Sequence, residues 1–218
     1  MKRVFGVFEA VFDITYLSTA MIMGALFLRK GLVSAGFMAL LLAGGDAFHL
    51  IPRVRVILTG KEEELRAALG RGKQIASITM TVFYIFLWRL GGGFASNGPG
   101  WLWDGMVLLL ASVRIVLCLL PQNRWQERYP PVGWGCWRNL PFFLLGLLEA
   151  ARFFILRKTL PGMEWMWLAI LLSFLFYLPV VLWVNKKPKV GMLMLPKTCM
   201  YLWMLSILTS AGGGGALP

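Results

Sequence analysis

The sequence predicts an all-α fold, a polytopic transmembrane bundle of about seven helices, and three observations support it. Of the 218 residues, 58% are hydrophobic and only 15% are charged, and the mean hydropathy is +0.70. An average soluble domain is about 45–50% apolar and about 25% charged, so the apolar surplus here is too large for one soluble core. Apolar runs close to the roughly 20 residues that cross a bilayer recur along the whole chain.

Seven apolar runs define the predicted spans. Pro52 closes the second run and Pro121 the fourth, because helices usually end before a proline. The third run is short, and a short amphipathic surface helix is expected before it, over 61–73. The runs are about 4–28, 32–51, 75–92, 101–120, 139–156, 165–184 and 192–211. They form a single domain, 1–211, followed by a flexible glycine-rich tail, 212–218.

Basic residues are unevenly distributed between the two ends of the predicted bundle. Fourteen of the 22 Lys and Arg residues fall at the N-terminus and in the segments after the second, fourth and sixth runs, whereas five fall on the other side. By the positive-inside rule the N-terminus is cytoplasmic. The net charge of +12 would suggest nucleic acid in a soluble protein. Because these bases flank apolar runs, the expected partners are instead the lipid bilayer and anionic phospholipid head groups.

The stretch from Gly44 to Arg53 ends an apolar run, yet it contains an acid, the only histidine of the chain and a base. On a helix the spacing places Asp46, His49 and Arg53 on one face. Ionisable groups in an apolar segment must be hidden from lipid and are candidates for a functional site. Asp46 and His49 are therefore the candidate catalytic residues.

Other ionisable and polar side chains are predicted at a similar depth, within roughly 15 Å of the cytoplasmic boundary. Two interpretations stay open: a network of charges that only holds helices together, or a polar, cytoplasm-facing cavity that accommodates a ligand or a reaction. An ionised Asp46 is expected to pair with Arg114 or Lys197. The candidate ligand-binding residues are Glu9, Asp13, Arg53, Lys73, Thr81, Tyr84, Arg114 and Lys197. Glu149 and Arg152, three positions apart, are expected to belong to an ion pair.

Several chemistries fit the sequence poorly. A zinc hydrolase needs several histidines, and one histidine without a nearby cysteine gives too few ligands, so no metal and no cofactor is expected. A retinal protein would carry its lysine at mid-membrane, whereas Lys197 lies near one end of its run. A proton-coupled transporter could use Asp13, Asp46 and His49 as a relay, although no clean inverted repeat is visible. Transport, sensing and a lipid-directed enzyme remain the open functions.

Five segments resemble a group of bacterial multi-pass membrane proteins, which implies a cell-membrane location. They are 45–53, which begins Gly-Asp-Ala-Phe-His, and 68–73, 77–81, 114–123 and 195–199. A weaker likeness, in Gly45-Asp46 and in 81–84, is to lysoplasmalogenase-type membrane proteins. This second likeness implies a lipid head-group hydrolase in which Asp46 is a base or a polarising group. The histidine that such proteins carry in the later span is absent here.

Overall fold

The structure, a computed structural model, describes residues 2–92 and 100–213, with side chains from 5 to 92 and from 100 to 211. These residues form seven α-helices and three short 3-10 segments, without a strand, which confirms the predicted all-α class. The helices are α1 (Lys2–Arg29), α2 (Val33–Thr59), α3 (Glu62–Leu90), α4 (Trp101–Leu119), α5 (Val132–Ile155), α6 (Met166–Trp183) and α7 (Met194–Gly213). The predicted tail from 212 overlaps the end of α7, and its last five residues lie outside the described part.

The helices form a closed bundle. Each helix packs against the next one along the chain, and α7 returns to contact α1. In addition, α3 contacts α5 across the bundle. This arrangement gives every helix an inward face, on which polar side chains from distant parts of the sequence can meet.

Six of the described helices are long and apolar enough to cross a membrane, and α3 is the exception. Its first half, which begins with Glu62-Glu63-Glu64, is charged, and about half of its residues are exposed. Its second half is the opposite, because Phe83, Tyr84, Leu87 and Trp88 are at most 1% exposed. A helix that is surrounded by other helices has little contact with lipid, so α3 can belong to a membrane bundle with a lower share of apolar residues.

The predicted helix end at Pro52 is wrong, because α2 continues through this proline to Thr59. A proline inside a helix leaves the carbonyl four residues earlier, that of Phe48, without its usual donor. In the structure this carbonyl faces Gly72 of α3, where a Cβ atom would lie only 2.2 Å from the Phe48 oxygen. The close approach of α3 thus covers the part of α2 that the proline disrupts.

The short surface helix expected over 61–73 does not exist as a separate element. It is the first part of α3, which runs without interruption from Glu62 to Leu90. At 1.5 Å per residue α3 is roughly 43 Å long, longer than the roughly 30 Å hydrocarbon core of a bilayer. The α2–α3 hairpin therefore extends beyond the apolar layer, and its tip is the turn at Gly60, whose φ is +74°.

Large aromatic side chains are exposed at both ends of the bundle. Trp101 and Trp165 are 71% and 59% exposed at one end, where α4 and α6 begin. Trp137 and Trp183 are 63% and 50% exposed near the other end. Tryptophan is enriched at both membrane–water interfaces, so this distribution is typical of a helical bundle embedded in a bilayer.

Candidate functional site

Asp46 lies on the inward face of α2, where its partner is a tyrosine of α1. The hydroxyl of Tyr16 donates a hydrogen bond of 2.7 Å to Oδ2 of Asp46. Tyr16 is 1% exposed, so this contact is shielded from solvent on the tyrosine side. A short hydrogen bond to a carboxylate is strong because the acceptor is charged.

The expected ion pair of Asp46 with Arg114 or Lys197 is not found among the described residues. Their ion pairs are Arg53–Glu9, Lys61–Glu64, Arg66–Glu63 and Arg124–Glu127. The charge of Lys197 acts on Asp46 from beyond contact distance. The prediction was wrong because depth along the membrane axis does not say which helix is adjacent, and the α1 neighbour Tyr16 reaches Asp46 first.

Lys197 is a buried cation near the start of α7, and it is 7% exposed. Its Nζ lies 4.2 Å from the ring centre of Tyr177 and 5.2 Å from that of Tyr201. The two rings offer a cation–π environment. Within the described part of the chain, no carboxylate contacts this ammonium group.

Pro196, the residue before Lys197, lies in the first turn of α7. In the first turn of a helix the backbone N–H groups have no acceptor within the helix. A proline at this position therefore removes no hydrogen bond of α7.

Arg114 of α4 is the second buried cation, with 2% exposure. Its Nη1 donates to Oδ1 of Asn139 at 3.3 Å, and its guanidinium lies 3.4 Å from the ring centre of Phe142. The Nε atom is buried without a hydrogen-bond partner. The guanidinium therefore has a neutral amide oxygen and an aromatic face as neighbours, but no counter-ion among the described residues.

Asn139 of α5 links the two cations. Its Oδ1 accepts from Arg114 and also from the hydroxyl of Tyr177, at 3.0 Å. Tyr177 in turn lies under the ammonium group of Lys197. A continuous series of contacts thus runs from α4 through α5 and α6 to α7. The hydroxyl oxygens of Tyr84 and Ser173 also form a hydrogen bond, at 3.3 Å.

We call the buried and half-buried side chains that make the contacts above the inner group. Five residues of this group were not predicted from the sequence. They are Tyr16, Asn139, Ser173, Tyr177 and Tyr201. Each is a polar, uncharged residue within or at the edge of an apolar run, and that is the signal which could have identified them. The prediction favoured ionisable residues, because only they carry a large cost in lipid.

A second group of predicted residues lies on α1 and α2, closer to the N-terminus. Nε and Nη2 of Arg53 donate to Oε1 and Oε2 of Glu9, at 2.8 and 3.4 Å, so the pair is bidentate. Asp13 is 6% exposed and its Oδ2 is buried without a partner. Asp13 is within electrostatic reach of Glu9, Arg53 and Asp46.

The remaining predicted residues have separate surroundings. Nδ1 of His49 is buried without a partner, and no hydrogen bond between His49 and Asp46 is present in the described residues. Lys73 is exposed on α3. Thr81 donates to the carbonyl of Ser77 within α3, at 2.9 Å, so its hydroxyl is satisfied locally. Of the predicted set, Arg114 and Lys197 are joined through Asn139 and Tyr177, whereas Asp46 contacts Tyr16 and Tyr84 contacts Ser173.

Glu149 and Arg152 do not form the expected ion pair. Nε of Arg152 donates to the carbonyl of Gly91 at 3.0 Å, and its guanidinium lies 4.3 Å from the ring centre of Trp88. Both carboxylate oxygens of Glu149 are buried without a partner. The arginine is directed to the end of α3, because the α3–α5 contact offers it a free carbonyl and an aromatic face.

Two open depressions lie beside α5, and their volumes are about 420 and 330 Å³. Both have largely apolar walls, and of the inner group only Asn139 lines one of them. No group of three metal-ligating side chains occurs among the residues that the structure describes.

Comparison of the chain with protein-family models, with curated proteins and with solved structures finds no match.

Proposed function

We propose that this multi-pass membrane protein binds an anionic group inside its helical bundle, with Arg114 and Lys197 as the binding cations. The observation that carries the proposal is that both cations are buried, at 2% and 7% exposure, and neither contacts a carboxylate. Their surroundings are instead Asn139 and three aromatic rings. The distribution of bases supports a cytoplasmic N-terminus for this protein.

The energetic argument starts from the cost of a buried charge. An arginine stays protonated under all ordinary conditions, so Arg114 cannot lose its charge on burial. A buried charge without a counter-ion is strongly unfavourable, and cation–π contacts offset only part of that cost. Asp46, the inner acid whose charge reaches Lys197, contacts neither cation and accepts from Tyr16. An anionic ligand would therefore supply the charge that this part of the bundle lacks.

The chemistry of the two cations indicates the kind of anion. A guanidinium presents a planar fork that matches phosphate or carboxylate oxygens, and an ammonium group adds a compact point charge. Arg114 has its Nε free for such a ligand. A phosphate or carboxylate group can come from a free anion or from the head group of a lipid, and the bilayer around the bundle would supply the latter.

The test measures ligand-induced stabilisation of the purified protein in a non-ionic detergent. The probes are inorganic phosphate and monoacylglycerol phosphate, and monoacylglycerol without phosphate is the control. A ligand that binds only the folded state at about 100 times its Kd stabilises that state by about 2.7 kcal/mol. We expect Arg114→Gln and Lys197→Met to lose most of this stabilisation. The exposed residues Arg55 and Lys189 provide matched controls, Arg55→Gln and Lys189→Met, which should keep it.

The two phosphate probes separate the sources of the anion. Stabilisation by both indicates a site for the phosphate group itself, and stabilisation by the monoacyl compound alone indicates a lipid ligand. If neither probe raises the melting temperature, or if Arg55→Gln weakens the effect as much as Arg114→Gln does, the proposal is wrong.

A second candidate function is a lipid-directed hydrolase, and the Tyr16–Asp46 hydrogen bond favours it. Asp46 would act as the general base that removes a proton from the attacking water, and the two cations would hold the phosphate of the head group. The likeness to lysoplasmalogenase-type proteins around Gly45-Asp46 points the same way. Mass spectrometry of monoacyl phospholipids incubated with the purified protein tests it. Turnover should disappear in Asp46→Asn, whereas an unchanged lipid profile with the wild type would exclude the enzyme.

A further inference from the structure

Glu149 of α5 is the most completely enclosed acid among the described residues. It is 0% exposed, and neither Oε1 nor Oε2 has a hydrogen-bond partner. The acid lies outside the contacts of the proposed anion site, which are made by Asn139 and by aromatic rings. Its presence needs a separate explanation, because a carboxyl group in such surroundings is costly in either protonation state and more so when charged.

Helices α3 and α6 both pack against α5, which carries Glu149. Gly146, one turn earlier on α5, lets the ring of Phe174 pack so tightly that a Cβ atom at Gly146 would lie 1.9 Å from it. From α3, Tyr84 is the ionisable group within electrostatic reach of Glu149. From α5 itself, the charge that acts on Glu149 is that of Arg152.

Arg152 is the natural counter-ion of Glu149, but its contacts are elsewhere. At three positions along the helix the two side chains can reach each other. Instead, Nε of Arg152 donates to the carbonyl of Gly91, and its guanidinium lies over the ring of Trp88. Such an arrangement is expected if Glu149 is neutral, because a carboxylate at that position would attract the guanidinium away from a carbonyl and a ring.

We propose that Glu149 is a proton-binding site, and that Arg152 changes partners when the proton leaves. In the arrangement described, the carboxyl group holds the proton and Arg152 contacts the end of α3. When water reaches the site, the O–H bond breaks, the proton passes to water and a carboxylate remains. Arg152 then leaves Gly91 and Trp88 and pairs with that carboxylate, so the charges at the site balance. The exchange releases one contact between α3 and α5.

Infrared spectroscopy tests the first half of the proposal, because a protonated carboxyl group and a carboxylate have separate C=O bands. At neutral pH the wild type should show a carboxylic-acid band that shifts when glutamate is labelled with carbon-13. The band should be lost in Glu149→Gln and kept in Glu127→Gln, a control at an exposed ion-paired glutamate. The labelling of the wild type needs no variant, so the proposal can still be overturned even if Glu149→Gln fails to fold. If no glutamate acid band is present, the proposal is wrong.

Fluorescence tests the second half, because Arg152 lies over the ring of Trp88. The difference in emission between the wild type and Trp88→Phe isolates the signal of this tryptophan. We expect that signal to change at the pH at which the acid band disappears. The change should be absent in Glu149→Gln and in Arg152→Gln. If the Trp88 signal stays constant while the acid band disappears, Arg152 does not exchange partners.

Discussion

At the scale of single residues, the interior of this bundle is held by neutral polar partners more than by ion pairs. Asp46 accepts from Tyr16, and Arg114 donates to Asn139. The ion pairs of the described residues lie at the periphery, as in Arg53–Glu9, where the arginine side chain is 44% exposed. Burying a hydroxyl or an amide has a lower desolvation cost than burying a second charge. A neutral polar group is therefore the more favourable partner for a buried ionisable group.

The Tyr16–Asp46 contact gives a prediction at this scale. Tyr16→Phe removes the hydroxyl and leaves a carboxylate oxygen of Asp46 without its donor. We expect a loss of about 1–3 kcal/mol in the free energy of unfolding, because an acceptor that stays shielded without a partner keeps its desolvation cost. The measurement is denaturant unfolding of the purified protein in detergent.

Tyr129→Phe is the matched control, since Tyr129 is 66% exposed. A surface change of this kind should alter the free energy of unfolding by no more than about 0.5 kcal/mol. Asp46→Asn should cost less than Tyr16→Phe does, because asparagine keeps an oxygen that can accept from Tyr16. Equal stability of Tyr16→Phe and the wild type would contradict the role given to the hydroxyl.

At the scale of elements, the α2–α3 hairpin depends on small residues where the two helices meet. A Cβ atom at Gly45 would lie 1.9 Å from Oγ1 of Thr79, and one at Gly72 would lie 2.2 Å from the carbonyl oxygen of Phe48. In membranes such small residues let helices approach closely, which increases packing contacts. The contact between Gly72 and the Phe48 carbonyl also covers the turn of α2 that precedes Pro52. Gly72 therefore allows close packing at the point where the proline disrupts α2.

The prediction for this element compares two glycines of the hairpin. Gly72→Ala forces a methyl group against backbone atoms, which cannot move like a flexible side chain, and should cost about 1–3 kcal/mol or more. Gly44→Ala meets no atom within 4 Å. It should therefore be neutral or stabilise α2 by up to about 1 kcal/mol, since alanine favours a helix over glycine.

The two variants are compared by their melting temperatures in detergent. The physical claim is the difference between them, with Gly72→Ala the lower. If both substitutions lower the melting temperature equally, the close approach of α2 and α3 is not the cause.

At the scale of the whole molecule, the bundle is asymmetric in charge. With seven helices, the two termini lie at opposite ends. The end that bears the N-terminus and the α2–α3, α4–α5 and α6–α7 connections carries most of the basic residues. Anionic lipids on the cytoplasmic leaflet attract such an end, which is the physical basis of the proposed orientation.

Reporter fusions test this orientation. A green fluorescent protein fused to the N-terminus should fluoresce, and alkaline phosphatase fused to the C-terminus should be active, because that enzyme folds only outside the cytoplasm. A C-terminal phosphatase that is inactive, together with a C-terminal green fluorescent protein that fluoresces, would reverse the assignment.

The sequence alone determined the class of the protein and the approximate position of its helices. Long apolar runs such as 101–120 and 165–184 agree with α4 and α6 to within a residue at each end. Run length and charge distribution are local properties, and a bilayer imposes a fixed thickness on them, so they can be read without knowing which helices touch. The same reasoning also predicted that Asp46 would need a partner.

Only the tertiary structure decided the identity of that partner and the true length of α2 and α3. Tyr16 and Asp46 lie 30 positions apart, and Tyr177 and Asn139 lie 38 apart, so each contact depends on which helix faces which. Likewise Pro52 is a helix end by local rules, but in the structure α2 continues through it and Gly72 of α3 packs against the preceding turn. Burial and hydrogen-bond partners are properties of the packed bundle, because they arise when distant segments displace water and lipid from each other.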